Sequence, residues 1–210
     1  MPKTYTRTAV AIAVLALAAC SPATKTTSEE TESAKKEAAG PPEPVTAKTA
    51  YWEMYRVART WATDLVPLKV VSKELPGFKN DAGKAAMWEA TIASPTKHEY
   101  RIFTYSIAAK PPDIYKGPVV GGPMPWGGPT REVMPFRFTE VAVDSDAAYK
   151  TAMSQAGPWV QKHPDKTAML QLWNPYRFQI PMWYILWGDT KSGYAVYVNA
   201  KTGTALKPTK

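Results

Sequence analysis

Met182-Trp183-Tyr184-Ile185-Leu186-Trp187, then Gly188-Asp189-Thr190-Lys191-Ser192-Gly193, then Tyr194-Ala195-Val196-Tyr197-Val198-Asn199 decide how this chain is read. Two short runs rich in aromatic and β-branched residues flank a block of turn formers, which is the pattern of a β-hairpin. Side chains alternate across a strand, so Trp183, Ile185 and Trp187 point one way and Met182, Tyr184 and Leu186 the other. Both faces are apolar. A helix can cover one; the other needs a second part of the chain, a dimer mate or a partner. Covering by the other half of the chain is the most economical expectation.

Upstream, Asp144 or Ser145 is a suitable N-cap, and Ala148, Tyr149, Ala152, Met153 and Ala156 make a helical stripe that Gly157-Pro158 is expected to end. Ala168 to Trp173 reads as a strand. The first half repeats this order. Tyr51, Met54, Tyr55, Ala58, Trp61, Ala62 and Leu65 form a helical stripe, with Pro67 just beyond it. Lys69 to Ser72 suits a short strand, Leu75 to Lys84 is turn material, and Ala86 to Ala93 and Tyr100 to Ala108 read as a hairpin around Ser94–His98. The spacings also match: Tyr51 to Trp88 is 37 positions and Tyr149 to Trp183 is 34. Two helix-then-hairpin units with matched Trp and Tyr suggest an internal duplication. The expected fold is α+β, two tandem units of one helix on an antiparallel sheet.

Tyr194 to Asn199, then Ala200-Lys201-Thr202-Gly203-Thr204-Ala205-Leu206, resembles the last hairpin of PepSY-type propeptide domains: an alternating strand, Asp or Asn, Ala, any residue, Thr-Gly, and an apolar strand. Asn199 can bond the backbone ahead of it, and Gly203 can take the positive φ that reverses the chain. The resemblance covers roughly Asp144 to Leu206. The first half shares the layout but lacks the Thr-Gly turn after Ala108. The family implies a PepSY/cystatin-like fold and a non-enzymatic inhibitory or binding module, often secreted or membrane-attached.

At the N-terminus, Lys3 and Arg7 precede an uncharged apolar run from Ala9 to Ala19, too short for the roughly twenty residues of a spanning helix. It ends Leu17-Ala18-Ala19-Cys20, which resembles the bacterial lipobox. That resemblance implies cleavage before Cys20 and lipids on its sulfur and amino group, which anchors the protein to a membrane. Ser21 follows, which in the enteric lipoproteins this resembles implies export to the outer membrane if the source is Gram-negative. Ser21 to Lys48 is rich in Thr, Ser, Glu, Lys, Ala and Pro and reads as a disordered tether. The chain is therefore divided into residues 1–19 (signal), 20–48 (lipidated Cys20 and tether), 49–116 (first unit), 117–132 (Gly/Pro-rich connector) and 133–210 (second unit).

Composition narrows the chemistry. The 210 residues are 45% hydrophobic, with eight Trp and eleven Tyr, which excludes a wholly disordered chain. One Cys excludes an internal disulfide, and with only two His a Cys- or His-built zinc site, which uses three or four ligands, is nearly excluded too. No metal site, cofactor or catalytic residue is assigned. His98 and His163 read as surface residues, and Asp144-Ser145-Asp146 as a helix start rather than a metal cluster. No phosphate-binding Gly loop or nucleotide fingerprint is present. The formal charge of +8 is dispersed, without an Arg-rich run among aromatics, so nucleic acid is not an expected partner. An envelope protein, a peptidase or an anionic envelope polymer is. Alternatives are a cell-wall hydrolase, whose nearest acids would be Glu132, Glu140 and Asp189, and a structural subunit of an envelope complex.

The segment Gly117 to Pro129 is the most unusual. Its glycines and prolines are expected to preclude a regular element. Trp126, with Gly127 and Gly128, is the candidate partner-binding element, because exposed Trp is favoured at binding hot spots. The plainer reading is a connector whose Trp tucks into the core.

Overall fold

The Trp183, Ile185 and Trp187 face of the C-terminal hairpin packs under a helix, and the same alternation recurs across a nine-stranded antiparallel sheet. The computed structural model describes residues 41–206. Cys20, the signal segment and the tether as far as residue 40 lie outside the described residues. In chain order the elements are α1 (Ala47–Ala58), β1 (Val66–Lys73), β2 (Met87–Ser94), β3 (Glu99–Ser106), β4 (Gly117–Val120), β5 (Met124–Pro125), α2 (Ser145–Lys162), β6 (Ala168–Trp173), β7 (Met182–Trp187), β8 (Tyr194–Asn199) and β9 (Ala205–Leu206). The fold is mixed α+β. The strand order is β4-β3-β2-β1-β6-β7-β8-β9, with β5 also on β3.

Each helix starts a meander that runs outward from the middle of the sheet. The two meanders meet at β1 and β6, which pair antiparallel with Val70 opposite Leu172 and Val71 opposite Gln171. Both helices lie on one face. Ala47, Ala50, Met54 and Ala58 of α1 and Ser145, Ala148, Ala152 and Ala156 of α2 are the buried stripes. Beneath them Val70, Trp88, Ile92, Phe103, Leu172, Trp183, Trp187 and Val198 form one core shared by both meanders.

Local chemistry fixes the starts of the helices. Thr46 caps α1, and Asp144 caps α2. The two starts abut. The Ala47 N–H donates to Ser145 Oγ at 2.9 Å and the Lys48 N–H to Asp144 Oδ1 at 3.1 Å, so residues at the start of α2 satisfy free donors of α1. Gly83 passes against this junction at φ +79°, where an added Cβ would stand 2.4 Å from the Ser145 carbonyl oxygen. Trp88 Nε1–H donates to the Val45 carbonyl at 3.0 Å and Trp183 Nε1–H to the Val143 carbonyl at 2.9 Å. Val45 and Val143 each immediately precede a helix N-cap. The final turn follows the reading above: Asn199 Oδ1 accepts from Lys201 N–H and Thr202 N–H, and Gly203 has φ +76°.

Several expectations are corrected. The ordered fold starts before residue 49, because Val45 bridges Ala85 and Thr46 caps the helix. The first helix ends at Ala58; the rest of its stripe continues through a tight turn, where Trp61 packs against Phe103 beneath the Arg101 guanidinium. Gly157-Pro158 does not end α2, which runs on to Lys162 so that Trp159 and Val160 pack against the core. Gly117–Pro129 is not wholly irregular: β4 and β5 pair with β3 as an edge, where a proline's missing N–H is tolerated. The second apolar face is not covered by the other half, because the halves join edge to edge rather than face to face.

Candidate functional site

On the helix-free face, a cleft of about 430 Å³ lies between the sheet and residues 126–133. Its floor begins at a β-bulge. Pro67 pairs with Ile92 and Lys69 with Thr91, so Leu68 is an extra residue opposite their junction. Bulges re-aim side chains, and here Leu68 and Lys69 both reach the cleft. Glu89 and Thr91 of β2 and Tyr100 and Ile102 of β3 complete the floor. The wall is a strap carrying Trp126, Gly127, Gly128, Thr130 and Val133.

The strap is held at both ends. The Trp126 N–H donates to the His98 carbonyl at 2.8 Å. Thr130 and Val133 close a turn, with Thr130 N–H to Val133 O at 3.1 Å and Val133 N–H to Thr130 Oγ1 at 3.1 Å. Beyond it, Met134 N–H donates to Asn174 O and Phe136 N–H to Pro67 O, which leads the chain between the start of β1 and the end of β6. It emerges on the helix side, where Phe138 stacks on Tyr51 at 3.6 Å between ring centres. Tyr51 is buried, which pushes its phenol well above the usual tyrosine range.

The cleft is open and mainly apolar. Tyr100, Ile102, Trp126 and Val133 are half-buried. Lys73 Nζ holds Glu89 at 3.2 Å. Lys69, also half-buried, has no ion-pair partner among the described residues. The lining offers no His, Cys or Ser, and one carboxylate. Such a surface can bind an apolar group beside a cation.

Farther along the same face the residues turn aromatic. Trp173 meets Tyr184 edge-on at 5.8 Å, Tyr184 meets Tyr197 at 5.1 Å, and Phe178 lies 5.5 Å from Tyr197. The Arg177 guanidinium stacks over Phe178 and Tyr197 at 4.5 and 4.8 Å. These rings tilt on one another, so they cover part of the apolar face themselves.

Trp126, Gly127 and Gly128 come together in the cleft wall. Trp126 belongs to neither buried core cluster among the described residues, so the reading of a core plug does not describe it. His98 is exposed at the tip of the β2–β3 hairpin, and His163 stacks on Trp159 at 4.0 Å. Asp144 is engaged at the two helix starts. Asp189 accepts from Ser192 Oγ and from the Ser192 and Lys191 N–H groups, and those bonds hold its carboxyl below the usual range. Glu140 borders a separate cleft of about 500 Å³ as its one carboxylate. Glu132 is exposed. Leu68, Lys69, Glu89 and Tyr100 went unnoticed in the sequence, because only the bulge and the strap bring them together.

Among the described residues, no helix is long and apolar enough to cross a membrane. No family model matches the chain. No curated protein matches it either. A solved structure of a "putative lipoprotein" from Clostridium difficile 630 is similar to it at 11% identity, covering 79% of this chain and 93% of that one, with a TM-score of 0.46.

Proposed function

We propose that this protein is a lipid-anchored, non-enzymatic binding or inhibitory module of the cell envelope, and that the helix-free face of its sheet is the recognition surface. The observation that carries this reading is the cleft under the Trp126 strap: open, mainly apolar, and bordered by Trp, Tyr and Lys with one carboxylate. Trp and Tyr are the residue types that supply most binding energy at protein surfaces. Anchoring rests on Leu17-Ala18-Ala19-Cys20, with the outer membrane as the destination that Ser21 suggests for a Gram-negative source.

The scaffold is proposed as two PepSY-like units in tandem. In support, the twin Trp residues make the same hydrogen bond to the residue before each helix cap, and the two strand ladders keep one register. Trp88 faces Ser72 and Tyr105, as Trp183 faces Leu172 and Val198. On that match Lys69, Lys73, Glu89 and Thr91 correspond to Met169, Trp173, Tyr184 and Leu186.

Two measurements test the reading. Cys20→Ser is expected to move the exported protein from the membrane to the soluble envelope fraction; a processed Cys20→Ser protein that still sediments with membranes removes the anchor. Trp126→Ala is expected to weaken in-cell crosslinking to envelope proteins, as loss of a hot-spot aromatic costs about 2 kcal/mol or more of binding. Its stability loss should stay below about 2 kcal/mol, short of the about 3–5 kcal/mol for a core Trp. Unchanged crosslinking, or a stability loss of core size, sinks the recognition surface.

A further inference from the structure

The charges in the strap cleft are not needed to build the sheet. On the helix side most matched positions in the two halves are both apolar, as at Trp88 and Trp183, Ala90 and Ile185, Ile92 and Trp187, and Val70 and Leu170; Ser72, which stands where Leu172 does and accepts from Leu170 N–H, is an exception and carries no charge. On the open side they part. Met169, Tyr184 and Leu186 occupy the places of Lys69, Glu89 and Thr91, and that half forms its ladder without a bulge. Glu89 is held by Lys73, which leaves the half-buried Lys69 as the cation facing Trp126, Ile102 and Leu68. A half-buried ammonium beside apolar surface is stabilised by a carboxylate arriving with the group that fills the cleft.

Resting on the reading of this face as the recognition surface, we propose that the cleft takes an apolar side chain of a partner protein, flanked by an Asp or Glu that pairs with Lys69. The occupant is an acidic, apolar peptide segment. The cleft is open to solvent and, Leu68 aside, its lining side chains are at least partly exposed, which suits a segment laid across β1, β2 and β3 rather than an enclosed small molecule. The aromatic cluster beside it does not form a flat stacking platform, since its rings meet at 83° and 40°; this disfavours a glycan strand as the occupant.

The test uses the exported full chain carrying Cys20→Ser, selected against a phage-displayed library of random linear peptides. Enriched peptides should pair an aromatic or long aliphatic residue with a neighbouring Asp or Glu. A synthetic copy of the strongest should perturb the amide resonances of Lys69, Thr91 and Ile102, and should bind about tenfold or more weakly to Lys69→Glu. Lys69→Met, the residue at the matched position of the other half, controls for folding: it should keep the fold and the apolar preference and lose the acidic one. Enrichment without acidic bias, no enrichment at all, affinity unmoved by either Lys69 variant, or shifts at this cleft from a chito-oligosaccharide instead would each overturn the proposal. If Trp126→Ala still abolishes crosslinking while these outcomes hold, the face binds something of other chemistry. If Trp126→Ala leaves crosslinking intact, the recognition surface itself is wrong.

Discussion

Trp88 and Trp183 are fully buried, and each sends its indole N–H to a backbone carbonyl just outside a helix start. A buried indole donor without a partner is costly, so this bond fixes where each helix sits on the sheet as well as filling the core. Their like spacing was legible, because they stand at similar distances from Tyr51 and Tyr149. Their hydrogen bonds were not, since Val45 and Val143 carry no sequence mark of an acceptor. Nor was the bulge at Leu68, which depends on how β1 is paired. Asp64 shows a residue-scale device that has a pH signature. Its carboxylate accepts from Ser94 Oγ at 2.6 Å and from Thr96 N–H at 2.6 Å, which tie the end of the β2–β3 hairpin to the turn after α1. The Ser94 bond, foremost, holds its carboxyl down to about 2. A carboxyl lowered in the folded state adds stability that is complete above its unfolded value near about 4 and is lost as the pH falls toward 2. The melting temperature should therefore drop between pH 4 and pH 2 more steeply in the parent than in Asp64→Asn. Parallel melting curves over that range would show that Asp64 is not a native-state anchor.

At the scale of elements, β6, β7 and β8 begin and end where their alternation and turn residues place them, because strand edges are set locally by Gly, Asn and Asp. Helix ends are set by what the last turn packs against. Gly157-Pro158 is a sound stop signal, yet Trp159 and Val160 beyond it reach the core, and that burial outweighs the missing Pro158 N–H. Gly157 eases the insertion, since a Cβ before proline crowds its ring in the helical region. Pro158 is exposed, so Pro158→Ala removes little packing and restores a donor toward the Ser154 carbonyl. It should raise stability by about 1–3 kcal/mol in urea unfolding. Gly157→Ala should give its helical gain in full only in the Pro158→Ala background. Gly83→Ala is expected to act oppositely, costing more than about 1 kcal/mol, because positive φ and the Ser145 carbonyl both oppose a Cβ there. A destabilised Pro158→Ala or a neutral Gly83→Ala would overturn these assignments.

For the whole molecule, the order of helix and strands recurs in the two halves of the sequence, but how the halves join is not written there. Apolar residues on both faces of Met182–Trp187 suggest that the other half covers the second face; instead β1 pairs with β6, and on that face Tyr184 packs against Trp173 and Tyr197, with Phe178 beside Tyr197. The signal for edge pairing was absent because β1 and β6 read alike as strands of either arrangement. The joining has a thermodynamic consequence. One core runs through Val70, Trp88, Leu172 and Trp183, the starts of α1 and α2 share hydrogen bonds, and Phe138, which belongs to the link between the halves, stacks on Tyr51 of the first helix. Without the second half the Ala47 and Lys48 N–H groups of α1 lose their acceptors, and without its mate either half exposes its β1 or β6 edge. The ordered body should therefore unfold in one step, with Trp fluorescence and far-UV circular dichroism giving coincident transitions and the calorimetric enthalpy equal to the van't Hoff value. Weakening the seam should lower that single transition without splitting it. Leu172→Ala, at the β1–β6 pairing, is a fully buried truncation expected to cost about 2–5 kcal/mol. Two resolved transitions, in the parent or in Leu172→Ala, would instead mean that the meanders fold as separate domains that happen to share an edge.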